Sequence, residues 1–136
     1  MKKTSLKPYN SFGVNAYAAD FIEIKSEKDI VSFLEKNKNQ NLLVLGGGTN
    51  ILFKKDIDHP VLKINIKGIE IINEDDYEVL VSVGAGENWN EFVWWCIEND
   101  FGGIENMVSI PGNVGSSPIQ NIGAYGKEIK DVIENC

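Results

Sequence analysis

The feature that most restricts this chain is a seventeen-residue stretch, 110–126, holding four glycines, two prolines, two serines, two asparagines and a glutamine, with no charged side chain. Connections between elements are usually much shorter. Neutral donors and acceptors set among small residues suit the close approach of a flat polar ring system. The same composition would also serve a loop that merely packs between sheets. A second glycine-rich run, Leu45-Gly46-Gly47-Gly48-Thr49-Asn50, leaves a short apolar stretch at 42–45. Three successive glycines let backbone N–H groups converge on an anion, and Thr49 and Asn50 add side-chain donors. The run is neither GxGxxG nor GxxxxGK[ST], so dinucleotide-fold and P-loop readings do not apply. A tight glycine turn is the plain alternative. A cofactor with an anionic pyrophosphate and a neutral heterocycle would use both stretches.

Charge narrows the partners. Thirteen basic residues face 20 acidic ones, for a net charge of -7, and every basic residue is lysine. No basic face suited to nucleic acid is visible, so none is expected as a partner. Phosphate binding without arginine is expected to rely on backbone N–H groups, hydroxyls and helix ends. Cys96 and Cys136 have neither disulfide-framework nor zinc-site spacing, and Cys96 reads as a buried small hydrophobe. There is no apolar run of about 18 residues, hence no expected membrane span. Lys7, Pro8 and Asn10 stand where a signal peptide would need its apolar core, so a cytoplasmic location is expected.

With 136 residues, apolar patterning predicts strands at 20–25, 42–45, 61–66, 69–72 and 78–83. Ser26 is expected to cap a helix running to about Lys38, with Ile30, Val31 and Leu34 on its apolar face. Asn88 and Glu91 resemble a capping box opening a helix over 89–99, with Phe92, Trp95, Cys96 and Asn99 on one face. Trp89, Trp94 and Trp95 read as packing residues. His59, in 56–60, reads as part of a solvated polar turn, and Glu74-Asp75-Asp76 as a solvated turn with no metal cage. The mixture predicts an α+β or α/β fold.

Four segments occur in order: residues 6–13 (LKPYNSFG), 45–50 (LGGGTN), 83–89 (VGAGENW) and 110–126. Together they closely resemble the UDP-N-acetylenolpyruvoylglucosamine reductases (the MurB family), flavoenzymes of peptidoglycan precursor synthesis. The resemblance implies an α+β FAD-binding fold of the vanillyl-alcohol oxidase (PCMH) type with two small subdomains, 1–67 and 68–136, clamping the flavin. Gly46, Gly47, Gly48, Thr49 and Asn50 match the family's pyrophosphate loop. Ile110, Pro111, Gly112, Gly115, Ser116, Ser117, Gln120, Asn121, Ile122 and Gly123 match its second flavin-contacting segment. FAD is the implied cofactor and NADPH the implied reductant. Hydride passes in that family from the flavin to the enolpyruvyl group of a UDP-sugar, giving UDP-N-acetylmuramate.

Family members are two to three times longer. Their catalytic arginine, acid serine and glutamate lie beyond the equivalent of Cys136, so no catalytic residue is carried over. The substrate-binding domain is expected to be absent and the second subdomain truncated, with self-association through an open sheet edge. On its own the chain is expected to be inactive. A non-catalytic flavin- or nucleotide-binding module is the alternative reading.

Overall fold

A computed structural model describes residues 3–38 and 40–136 and divides the chain into two compact units, Met1–Ile66 and Lys67–Cys136.

The first unit is a four-stranded sheet with one helix. Its strands are β1 (Thr4–Ser5), β2 (Tyr17–Ile24), β3 (Leu43–Leu45) and β4 (Ile57–Ile64), in the order β1-β2-β4-β3. β2 and β3 both run parallel to β4, while β1 is antiparallel to β2. Ile57–Pro60 therefore belong to a strand, not to the expected polar turn around His59. Pro60 lacks a donor, and the register shift between Ala18 and Asp20 places the ladder's irregularity opposite it, where a bulge tolerates proline. Ala18 and Phe21 pack on one face with Leu6, Ala16, Leu45, Phe53 and Val61.

The opposite face carries Ile24, Leu62 and Phe33. Phe33 comes from α1 (Glu27–Lys36), whose Ser26 cap accepts a hydrogen bond from the Asp29 N–H at 3.3 Å. The helix seats Ile30 and Phe33 on the sheet and leaves Val31 and Leu34 exposed, a rotation from the expected face. The Phe33 ring has more apolar area to bury than either aliphatic chain, and the helix turns to bury it.

The second unit opens with a two-stranded antiparallel sheet, β5 (Ile69–Glu74) and β6 (Val79–Val83). Its turn is held by the Asp75 carboxylate, which accepts the N–H groups of Tyr77 and Glu78 at 2.8 and 2.9 Å. Side-chain-to-backbone bonding of this kind is why aspartate favours turns. α2 (Trp89–Glu98) follows, with Asn88 Oδ1 accepting the Glu91 N–H at 3.1 Å. Its buried side chains are Trp89, Val93 and Cys96, while Asn99 is exposed. The buried stripe is thus rotated from the predicted one. Trp89 is the reason: it is 1% exposed, packs with Met107, Val93 and Ile129, and donates from Nε1 to the Met107 carbonyl at 2.9 Å. Trp95 stays half-buried between Phe92 and Phe101, and Trp94 faces solvent.

Cys96 is buried, which pushes its thiol up to about 11. No described helix is long and apolar enough to cross a membrane.

Candidate functional site

In the first unit, β3 ends at Leu45 and residues 46–50 bend and turn without starting a helix. Gly48 sits at φ +70°, and a Cβ there would overlap the Tyr9 carbonyl oxygen and lie 3.2 Å from Asn10 Cα. Only glycine allows both that backbone angle and that approach. The loop rests on the segment 9–11. The Ser11 N–H donates to the Gly48 carbonyl at 3.0 Å, and Ser11 Oγ donates to the Thr49 carbonyl at 3.2 Å. Asn10, 7% exposed, locks that segment by donating to the Leu6 and Val14 carbonyls and accepting the Val14 N–H. From the sheet, Lys63 Nζ donates to the Gly46 carbonyl at 2.5 Å. The Leu45↔Lys63 register brings that ammonium to the loop. Sequence reading missed Lys63 and gave Ser11 no role, because nothing local marks β3 and β4 as partners.

The second stretch lies in the second unit and is not an unstructured loop. Val114–Ser116 form a 3-10 turn that runs into a short helix, α3 (Ser117–Gln120), ended by Asn121 in the left-handed region. Proline in the first turn and a left-handed Asn at the end explain that boundary. A hairpin then joins β7 (Gly123–Ala124) to β8 (Lys127–Glu128) through Tyr125 and Gly126, both at positive φ. This is the turn geometry that matches strand twist in two-residue hairpins.

The 112–115 backbone is laced to the segment after β6. The Trp89 N–H donates to the Gly112 carbonyl, Val114 N–H to Glu87, and Gly115 N–H to Ala85, at 2.9–3.0 Å. A Cβ on Gly115 would stand 2.6 Å from Ala85 Cβ and 2.9 Å from its carbonyl oxygen. Glu87 braces the other side: its carboxylate accepts the Gly68 N–H at 2.7 Å and the Lys67 ammonium at 3.2 Å. These contacts, the Gly68 amide foremost, hold it below the usual carboxylate range.

The predicted residues of this stretch thus divide into two groups. Ile110 and Ile122 pack against the unit's core, and Ser117 is buried. Ser116 Oγ and Ser117 Oγ donate to the Asn113 and Val114 carbonyls at 2.7 and 2.8 Å, so both hydroxyl protons are committed to the backbone. Pro111, Gln120, Asn121 and Gly123 are exposed. Asn121 and Gly123 line an open hollow of about 360 Å³ with Ala124, Gly126, Lys127 and Glu128. Among the described residues, no group of three or more His, Cys, Asp or Glu could hold a metal ion.

Residues 18–136 match the family model described as FAD binding domain, and the chain belongs to that family. It is 54% identical over 132 residues to the UDP-N-acetylenolpyruvoylglucosamine reductase of Flavobacterium johnsoniae, covering 97% of this chain and 39% of that protein. A reductase of the same name from Bacteroides fragilis is 41% identical over 133 residues, covering 97% and 40% respectively. The crystal structure of the Thermus caldophilus enzyme (MurB) superposes with a TM-score of 0.74 at 22% identity, covering 98% of this chain and 46% of that one. The fold is therefore an α+β FAD-binding fold, and the chain spans about 39% of the length of the Flavobacterium relative.

The residues present fit that cofactor. The glycine loop, its carbonyls held by Ser11 and Lys63, can offer backbone donors to a pyrophosphate.

Proposed function

We propose that this chain supplies the FAD-binding part of a UDP-N-acetylenolpyruvoylglucosamine reductase, acting in peptidoglycan precursor synthesis, with NADPH as reductant and the UDP-sugar enolpyruvyl ether as substrate. The 54% identity across 97% of the chain carries this reading. Gly46, Gly47, Gly48, Thr49 and Asn50 take the pyrophosphate. Ile110, Pro111, Gly112, Gly115, Ser116, Ser117, Gln120, Asn121, Ile122 and Gly123 form the segment that shapes the flavin's surroundings. The two units serve as the two FAD-binding subdomains, and the location is cytoplasmic, where NADPH and nucleotide sugars are found.

Bound FAD would supply hydride transfer; this chain's residues bind and orient it. Ser116 and Ser117 shape the backbone and are not assigned proton donation, since their hydroxyls already donate to carbonyls. The open outer edges of β5 and β6 support self-association, which size-exclusion chromatography of the chain reads directly.

The test is a titration of the purified chain with FAD, followed by flavin fluorescence and checked by gel filtration. Saturable one-to-one binding is expected, without reductase turnover. A folded chain that takes up no FAD would overturn the assignment of these two stretches as a working cofactor site. FAD uptake by a full-length relative lacking reductase activity would favour a non-catalytic flavin-binding module.

A further inference from the structure

The segment 9–11 has no part in the function proposed above, yet it is the bed on which the glycine loop lies. In a planar trans peptide the C=O of one residue and the N–H of the next point in opposite directions. Anchoring a carbonyl therefore aims the following amide away from the anchor. Lys63 Nζ holds the Gly46 carbonyl, which turns the Gly47 N–H to the side opposite the ammonium. The Ser11 N–H holds the Gly48 carbonyl, and Ser11 Oγ holds the Thr49 carbonyl. The next amides, of Thr49 and Asn50, are thereby turned away from Ser11.

Three of the loop's peptide planes are thus set by two residues, 38 and 17 positions away along the chain from their loop partners. Gly48 completes the arrangement by letting the loop lie directly against Tyr9 and Asn10. Lys63 also places a positive charge behind the loop, in a chain of net charge -7 with no arginine.

We propose that Ser11 and Lys63 are positioning residues for a diphosphate-bearing ligand. Ser11 orients the loop's amides, and Lys63 orients one peptide and supplies a cationic backing that strengthens the loop's hold on an anion. This rests on the reading of 46–50 as the FAD pyrophosphate loop.

The experiment compares FAD affinity of the wild-type chain with that of Ser11→Ala, Ser11→Thr, Lys63→Met and Lys63→Arg, each at two salt concentrations. The unliganded melting temperature and circular dichroism of every variant are recorded alongside. Ser11→Ala is expected to weaken FAD binding about fivefold and Lys63→Met about tenfold or more, following the usual strengths of neutral and charged hydrogen bonds. Ser11→Thr should restore the hydroxyl donor and most of the affinity. Lys63→Met should also flatten the salt dependence of binding, while Lys63→Arg keeps it. A role confined to folding would move the melting temperature and leave that salt slope alone.

Folded Ser11→Ala and Lys63→Met chains that bind FAD as tightly as wild type, with the same salt slope, overturn this inference alone. If Lys63→Met fails to fold, the Ser11→Ala and Ser11→Thr pair decides by itself. A folded wild-type chain that binds no FAD overturns the functional reading and this inference with it.

Discussion

The two glycine-rich stretches reach defined shapes by different routes. The 46–50 loop is held from a distance: its carbonyls are bonded by Ser11 and Lys63, and Gly48 lies against the Tyr9–Asn10 backbone. The 110–123 stretch is held both by bonds within itself and by the run 85–89, remote in the chain, whose backbone is bonded to Gly112, Val114 and Gly115. Its serines bond carbonyls three residues back, Asn121 closes its short helix, and Gly115 abuts Ala85. One shape is imposed by a sheet and an N-terminal turn, and the other combines bonds within the stretch with a backbone seam to residues 85–89. The first should therefore collapse when its few remote anchors go, whereas the second should lose stability in smaller steps.

The sharpest challenge to that contrast is Gly48→Ala. The added methyl meets the Tyr9 carbonyl oxygen at a backbone angle disfavoured for L-residues, so a loss of about 3 kcal/mol or more is expected, as for severe overpacking combined with backbone strain. Urea denaturation reads it; a loss under about 1 kcal/mol would mean the loop moves freely off its bed. Gly115→Ala is next, with an expected cost of about 1–3 kcal/mol. Adding Ala85→Gly should recover only part of it, since the Ala85 carbonyl oxygen and Cα still lie at 2.9 and 3.0 Å. Full recovery in thermal melts would show that the Ala85 side chain alone, and not the backbone, sets the spacing.

The smallest effect concerns Glu87. Its carboxyl is held below the ordinary 4.5 by the Gly68 N–H and Lys67. Its stabilisation is therefore fully present above pH 4.5 and is lost as pH falls through the lower folded value. Glu87→Gln should cost about 1 kcal/mol near neutrality, and the deficit should shrink as pH falls below 4.5 and through the lowered folded value. A variant whose deficit stays constant across that range would remove the carboxylate from the account.

Much of the local architecture was legible. Ser26 and Asn88 cap their helices because short polar side chains reach the N–H groups three residues on. The Asp75 turn followed from composition for the same kind of reason. Where periodicity left a choice, large rings decided: Phe33 and Trp89 rotated their helices toward the sites that bury them. The strand beginning at Ile57 was hidden, since Asp56, Asp58, His59 and Pro60 together look like a turn. The register offset opposite Pro60 absorbs its missing donor, and no local signal announces a bulge.

What the sequence determined by itself was the chemistry on offer: two glycine-rich stretches, lysine as the sole cation beyond a lone histidine, and caps that start each long helix. These depend on residue type and short spacing, which a linear text displays. Only the tertiary structure decided that Ser11 and Lys63 stand behind the first stretch and Ala85 behind the second. Such neighbours are created by strand pairing and chain return, and those depend on burial summed over the whole unit rather than on any single segment.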